Sequence, residues 1–128
     1  MTVVVDASTV VSALLNAGPA RRVLDTEHLH VPHLVDSEVA SALRRQVMGG
    51  TLTEAEGWTA LDTWRRLGVT RYPAIGLFDR VWTLRHNLSP NDATYVALAE
   101  HLSCNLITAD VRIAGAPGIA CAVTVVPR

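Results

Sequence analysis

The amino-acid sequence predicts an α/β domain built on a mainly parallel sheet of about five strands flanked by helices. Three observations predict it. Short β-branched runs alternate along the chain with stretches of helical periodicity, the order that gives parallel strands joined by right-handed crossovers. The first run, Val3-Val4-Val5, is apolar throughout and stops at Asp6, as a strand buried on both faces does. The chain has 128 residues, 49 % hydrophobic and 18 % charged, which suits one domain spanning 1–128 with a real core and excludes disorder.

The elements follow in order. After the first strand, Asp6 opens an apolar helix from Ala7 to about Leu15, closed by Asn16-Ala17-Gly18. Pro19 fits the first turn of a second helix through Val23 and Leu24. Leu29-His30-Val31-Pro32 reads as a strand. From Leu34 to Met48 the pattern is helical, with Val35, Val39, Ala42 and Leu43 on one side and Gly49-Gly50 as the stop. Thr53-Glu54-Ala55-Glu56 is a capping box, and a helix follows to about Leu67. Gly68 to Tyr72 is a third strand. Beyond Pro73, the residues Ile75, Phe78, Val81 and Trp82 recur at helical spacing. Ser89-Pro90-Asn91-Asp92 is a helix start: a cap, a proline in the first turn and an acid behind it. The helix that follows, to Leu102, is apolar nearly all round and is expected to be central. Asn105 to Thr108 is a fourth strand, Val111 to Ala114 a helical turn, and Ala120 to Val126 the last strand.

Composition excludes several chemistries. The net charge of −1 provides no global basic field, so a polyanion must be held by a local patch. All eleven basic residues are Arg. Without Lys there is no Schiff base, no Walker A loop and no receiver-domain lysine. Arg suits bidentate phosphate contacts, although coding bias is the simpler cause of the missing Lys. A receiver domain also needs paired acids after the first strand, and a haloacid-dehalogenase-type phosphatase needs Asp-x-Asp there; Ser8 stands in the second place. Cys104 and Cys121 form no metal pattern and lie in apolar runs, which reads as buried free thiols in a reducing compartment. His28, His30 and His33 read as surface or loop residues. The N-terminus has no signal-peptide pattern and no run approaches the ~20 apolar residues of a membrane span, so the chain is expected in the cytoplasm.

Four carboxylates stand out by position. Asp6 follows the first strand and Asp110 the fourth, Asp92 lies in the first turn of the apolar helix, and Glu38 lies in the helix after the second strand. Ligands of open α/β sheets bind beyond the carboxyl ends of the strands, where Asp6 and Asp110 belong. Each acid alone has a plainer reading. Asp6 and Asp110 suit helix N-caps, and Asp92 complements a helix dipole. Glu38 borders Leu34, Val35 and Ala42, so its charge needs a partner, either a cation or a buried salt bridge to an arginine. Together the four would repel one another unless a cation neutralised them. All the donors are hard oxygens, and no His pair stands at ligand spacing, which suits Mg²⁺ or Mn²⁺ and not Zn²⁺.

Four segments carry a resemblance. They are Val3-Val4-Val5-Asp6-Ala7-Ser8, Glu38 to Arg45, Asn91-Asp92-Ala93-Thr94-Tyr95 with the residues to Glu100, and Leu106-Ile107-Thr108-Ala109-Asp110. Their order and spacing resemble the PIN-domain family and, within it, the VapC-type toxins of bacterial toxin–antitoxin pairs. The family often has Tyr-Asp-Ala where this chain has Asn91-Asp92-Ala93. The resemblance implies a PIN-like, Rossmann-like sheet and a metal-dependent endoribonuclease, a toxin that inhibits translation and growth. It also implies a homodimer, and a small VapB-type antitoxin whose tail occludes the site. Promoter DNA would be met only through the antitoxin, since this chain has no basic DNA-reading helix.

By motif matching, Asp6, Glu38, Asp92 and Asp110 take the places of the family's acids. Asp6, Asp92 and Asp110 are expected to ligate Mg²⁺ or Mn²⁺ directly or through water, and Glu38 to ligate or to orient the attacking water. Ser8 and Thr108 are expected to support them, and Asn91 to offer an amide to water or phosphate. The resemblance implies products with a 5′-phosphate and a 3′-hydroxyl. Arg44, Arg45, Arg85 and Arg112 are the candidates for RNA phosphates, against the plainer reading of solvated helix faces. Trp58, Trp64 and Trp82 read as core or dimer interface. The rival to the nuclease is a non-catalytic PIN-like RNA-binding or dimerising module, for which an intact set of four acids has no evident use.

Overall fold

In the computed structural model, which describes residues 1–128, five strands form: β1 (Thr2–Val5), β2 (His28–Pro32), β3 (Val69–Tyr72), β4 (Asn105–Thr108) and β5 (Val123–Val125). The helices are α1 (Ala7–Leu15), α2 (Pro19–Thr26), α3 (Leu34–Met48), α4 (Glu54–Arg66), α5 (Phe78–Thr83), α6 (Pro90–His101) and α7 (Val111–Ala114), with a 3₁₀ turn at Ile75–Leu77. The sheet order is β3-β2-β1-β4-β5, and every pairing is parallel, not merely most of them. Val3 stands opposite Leu29 on one side and Asn105 on the other.

This order has one reversal. From β1 the chain steps outward through β2 to β3, then returns to place β4 against the other edge of β1. Right-handed crossovers put helices on one face for the outward steps and on the other for the return. Accordingly α1 packs against α2, α3 and α4, while α5 packs against α6. The reversal between β1 and β4 splays the chains leaving those strands and opens a crevice beyond their carboxyl ends. Asp6 and Asp110 leave from these two strands.

Local chemistry agrees with the placement of most elements. Thr53 and Glu56 make both bonds of the capping box at α4, and Ser89 caps α6 ahead of Pro90. Residues Ala93 to Ala99 of α6 are all buried, as an all-round apolar helix requires. Gly57 lets α4 approach α3 closely: a Cβ there would lie 2.6 Å from Val47 Cγ2. Trp64 is 1 % exposed, and its Nε1 donates to Asp36 Oδ1 at 2.8 Å. Arg71 donates to the same carboxylate at 2.7 and 2.9 Å, so β3, α3 and α4 are tied at one point.

Several expectations are corrected. The last strand is Val123–Val125, shorter than Ala120 to Val126, because the Ala120 N–H is taken by Glu100 Oε2 at 2.7 Å. Ile75, Phe78 and Trp82 are 74 %, 58 % and 68 % exposed, so their spacing marks an outward face. Trp58 also lies outside the core at 56 % exposed. Cys104 and Cys121 are free, as expected, but only partly buried. His28 is exposed, as expected, but it lies with His30 within β2, and the ring of His30 stacks on Tyr72 with Nδ1 2.6 Å from its hydroxyl. No helix is long and apolar enough to cross a membrane.

Candidate active site

Asp6 is the most buried of the four acids, at 5 % exposed. It is the N-cap of α1, its Oδ1 accepting the Thr9 N–H at 3.0 Å. Its other donors are hydroxyls: Ser8 at 2.7 Å and Thr9 at 3.0 Å on Oδ1, and Thr108 at 2.5 Å on Oδ2. None of the protein's ion pairs reaches it. A carboxylate this deep with only neutral donors is incompletely compensated, since burial of charge is costly without a counter-charge.

The two strands are stitched at this edge by the same hydroxyls. Ser8 Oγ, besides donating to Asp6, accepts the Ala109 N–H at 3.0 Å. Thr108 Oγ1 accepts the Asp110 N–H at 2.9 Å. Asp110 caps α7 through the Arg112 N–H at 2.9 Å. The Arg112 side chain then closes on the carboxylate, Nε on Oδ1 at 3.0 Å and Nη2 on Oδ2 at 2.7 Å. These bonds hold the Asp110 carboxyl below the usual carboxylate range.

Glu38 and Asp92 come to the crevice from helices on opposite faces of the sheet. Glu38 has no arginine partner, which removes the buried salt bridge as its explanation. Instead the Tyr95 hydroxyl donates to Oε1, and Asn91 Nδ2 donates to Oε2 at 3.2 Å. Burial pushes the Glu38 carboxyl up despite these donors, and the charges of Asp92 and Asp6 push it further. Asp92 is raised too, first by burial, then by Asp110 and Asp6. Glu38 and Asp92 are thus each repelled by other acids at the same edge. The structure also places Tyr95 and Thr9 at the site through their hydroxyls, which sequence reasoning missed.

From this edge a groove of about 900 Å³ runs between α1 and α3. Ser8, Glu38 and Asn91 stand in it with Val11, and Arg45 and Arg128 supply its basic charge. Of the other arginine candidates, Arg112 is at the acids and Arg44 is exposed on α3. Arg85 lies elsewhere, its guanidinium 4.6 Å from the centre of the Trp82 ring and its Nη1 bonded to the Trp82 carbonyl at 2.9 Å.

The donor set suits a hard divalent cation in kind: it is all oxygen, and Asp6 lacks a counter-charge. Apart from the neighbouring Ser89 hydroxyl, no side chain contributes to Asp92's hydrogen bonding. As folded, no three of the acids close on a single point that would hold an ion.

The family model described as "PIN domain" matches residues 3–118. The chain is 58 % identical over 126 residues to ribonuclease VapC9 of Mycobacterium tuberculosis, covering 98 % of this chain and 99 % of that one. Among solved structures, it is similar to a toxin–antitoxin complex from Klebsiella pneumoniae, with a TM-score of 0.69 at 18 % identity, covering 98 % and 99 % of the two chains. It is also similar to VapC20 of Mycobacterium tuberculosis, a sarcin-ricin loop cleaving toxin, with a TM-score of 0.66 at 22 % identity, covering 92 % and 96 %.

Proposed function

We propose, since this chain belongs to the PIN-domain family, that it is an endoribonuclease of the VapC type, the toxin of a VapBC-type pair, hydrolysing RNA phosphodiesters in the crevice beyond β1 and β4. One observation carries the reading. Asp6, Glu38, Asp92 and Asp110 come from four separate elements to a single sheet edge, where the charges of Asp92 and Asp6 raise Glu38 and those of Asp110 and Asp6 raise Asp92. Folding gains nothing from such repulsion, whereas hydrolysis of a phosphodiester needs dense negative oxygen ligands.

Cleavage requires an activated water, an in-line approach and compensation of charge on the phosphate and leaving oxygen. Mg²⁺ or Mn²⁺, held by Asp6, Asp92 and Asp110, would supply Lewis-acid chemistry there. The chain's own residues do the rest. Ser8, Thr9 and Thr108 fix the Asp6 carboxylate through their hydroxyls. Glu38, its carboxyl raised by burial, orients the attacking water and accepts its proton. Tyr95 and Asn91 hold Glu38 in place from α6. Arg112 and Arg45 bind phosphates of the strand, with Arg44 and Arg85 as outlying contacts.

A VapB-type antitoxin is the proposed partner, occluding the crevice, and contact with promoter DNA would come only through it. The homodimer reading is supported by Ile75, Phe78 and Trp82, large apolar side chains exposed together on one segment.

The test is cleavage of total cellular RNA by the purified chain, free of antitoxin, with Mg²⁺, with Mn²⁺ and with chelator, beside Asp92→Asn. Discrete metal-dependent fragments, absent with the variant, are expected. A folded chain that cuts nothing under any of these conditions would favour the non-catalytic binding module.

A further inference from the structure

We propose that Arg112 is a latch on the active site. In the free chain it holds Asp110 in a bidentate ion pair that competes with a divalent cation, and a phosphate of the bound RNA strand draws it away. This rests on the ribonuclease reading and adds a coupling between strand and cation.

The geometry is specific to this pair. The Arg112 guanidinium meets both Asp110 oxygens, at 3.0 and 2.7 Å, and its own backbone N–H adds a third bond at 2.9 Å. No other acid of the edge has a cationic partner. The two ends differ in solvation: the Asp110 side chain is 15 % exposed, the Arg112 side chain 85 %. The guanidinium is therefore free to exchange partners without opening the fold. Exposed ion pairs are weak, so this one can be exchanged. A phosphodiester offers the guanidinium the same two-oxygen acceptor that Asp110 does.

The consequence is reciprocal. If the strand takes Arg112, the Asp110 oxygens are released to the cation, and the cation in turn favours the strand-bound state. Arg112 acts on the reaction through Asp110 and through the phosphate, so it is a positioning residue. Without substrate, the latch keeps the acid edge from gathering an ion tightly.

The experiment is Mn²⁺ binding to the full chain without RNA, read from the electron paramagnetic resonance signal of free Mn²⁺. The proteins are wild type, Arg112→Gln, Arg112→Lys, Asp110→Asn and the Arg112→Gln/Asp110→Asn double variant, with circular dichroism as the check on folding. Arg112→Gln is expected to bind Mn²⁺ about two- to fivefold more tightly, the range an exposed pair supports. Arg112→Lys, which keeps the charge but loses the two-point grip, is expected to lie between. The gain is expected to vanish in the Asp110→Asn background. With cellular RNA as substrate, Arg112→Gln is expected to need less Mn²⁺ and more RNA for half-maximal cleavage. Equal or weaker Mn²⁺ binding by Arg112→Gln overturns the latch alone. A gain that persists without Asp110 also overturns it, as a general charge effect. Absence of Mn²⁺ binding in all five folded proteins overturns the latch, whereas the ribonuclease reading falls only if the wild-type chain also fails to cut cellular RNA.

Discussion

Tyr95 of α6 donates its hydroxyl to Oε1 of Glu38 on α3, joining helices from the two faces of the sheet across the crevice. The hydroxyl is the only polar group in a run of apolar side chains on that helix apart from Thr94, and burial and the neighbouring carboxylate keep it protonated. It thereby favours the ionised form of Glu38 against the burial that opposes it. Tyr95→Phe removes the donor and leaves a partly buried acceptor with Asn91 alone. The expected cost is about 1–3 kcal/mol of stability, measured by urea unfolding. Because the lost bond lowered the Glu38 carboxyl, the acid limb of cleavage should move to higher pH in the variant. An unmoved limb would remove Glu38 from the proton transfer.

Glu100 makes the pH-dependent tie on the other side of the molecule. Burial raises its carboxyl, but two bonds from Arg80, at 2.6 and 3.0 Å, and the Ala120 N–H at 2.7 Å outweigh it and lower it. A carboxyl lowered in the folded state contributes stability above its unfolded value and loses it as pH falls through the folded one. Glu100→Gln is therefore expected to destabilise the chain by about 1–3 kcal/mol at pH 7. The gap from wild type should close as pH drops below the ordinary Glu value of 4.5. Unfolding curves of both proteins between pH 3 and pH 7 read it directly.

The exposed face at Ile75, Phe78 and Trp82 gives a prediction on assembly. Side chains of this size exposed together suit a symmetric contact with a second copy. Replacing Trp82 by Glu puts a charge into that contact at little cost to the monomer, because Trp82 is 68 % exposed. Light scattering coupled to size exclusion should give a dimer for wild type and a monomer for Trp82→Glu, with unfolding changed by less than ~0.5 kcal/mol per monomer. A wild-type monomer would remove the homodimer from the proposal.

Much of this architecture was legible in the chain because its local signals are strong. Val3 to Val5 between a polar start and Asp6, the capping box at Thr53, and Ser89-Pro90 each specify an element with little help from tertiary context. That Asp6 and Asp110 lie at one edge follows from their strands being parallel, but that β4 lies beside β1 is a matter of the sheet order, which local signals do not carry. The rest depends on what packs where. Periodicity gave Ile75, Phe78 and Trp82 a common face but carried no information on whether anything covers it. Tyr95 was hidden because its helix is apolar all round, so a hydroxyl aimed at a distant acid looks like one more core ring. Asp36, which gathers Trp64 and Arg71, was invisible for the same reason: its partners are 28 and 35 residues away. The Arg112 grip on Asp110 spans two residues, yet no spacing rule distinguishes it from an arginine in solvent.

Asp92 yields the prediction that separates function from folding. Its carboxyl is raised by burial and then by the charges of Asp110 and Asp6, with Ser89 only partly offsetting them. The sign runs opposite to that of Glu100. An acid raised in the folded state binds its proton more tightly there than in the unfolded chain, so stability is lost as pH rises through its titration. At neutral pH Asp92 is charged and destabilises the fold. Asp92→Asn keeps the shape and the cap at Ser89 while removing the charge. It is expected to stabilise the chain by about 1 kcal/mol at pH 7, with the difference fading towards pH 3 where both side chains are neutral. The same variant should cut no RNA. Adding Mn²⁺ should narrow the stability gap, since an ion held by the wild-type acids stabilises only the protein that binds it. A variant less stable than wild type at pH 7 would mean that Asp92 serves the fold, through the dipole of α6, more than it burdens it.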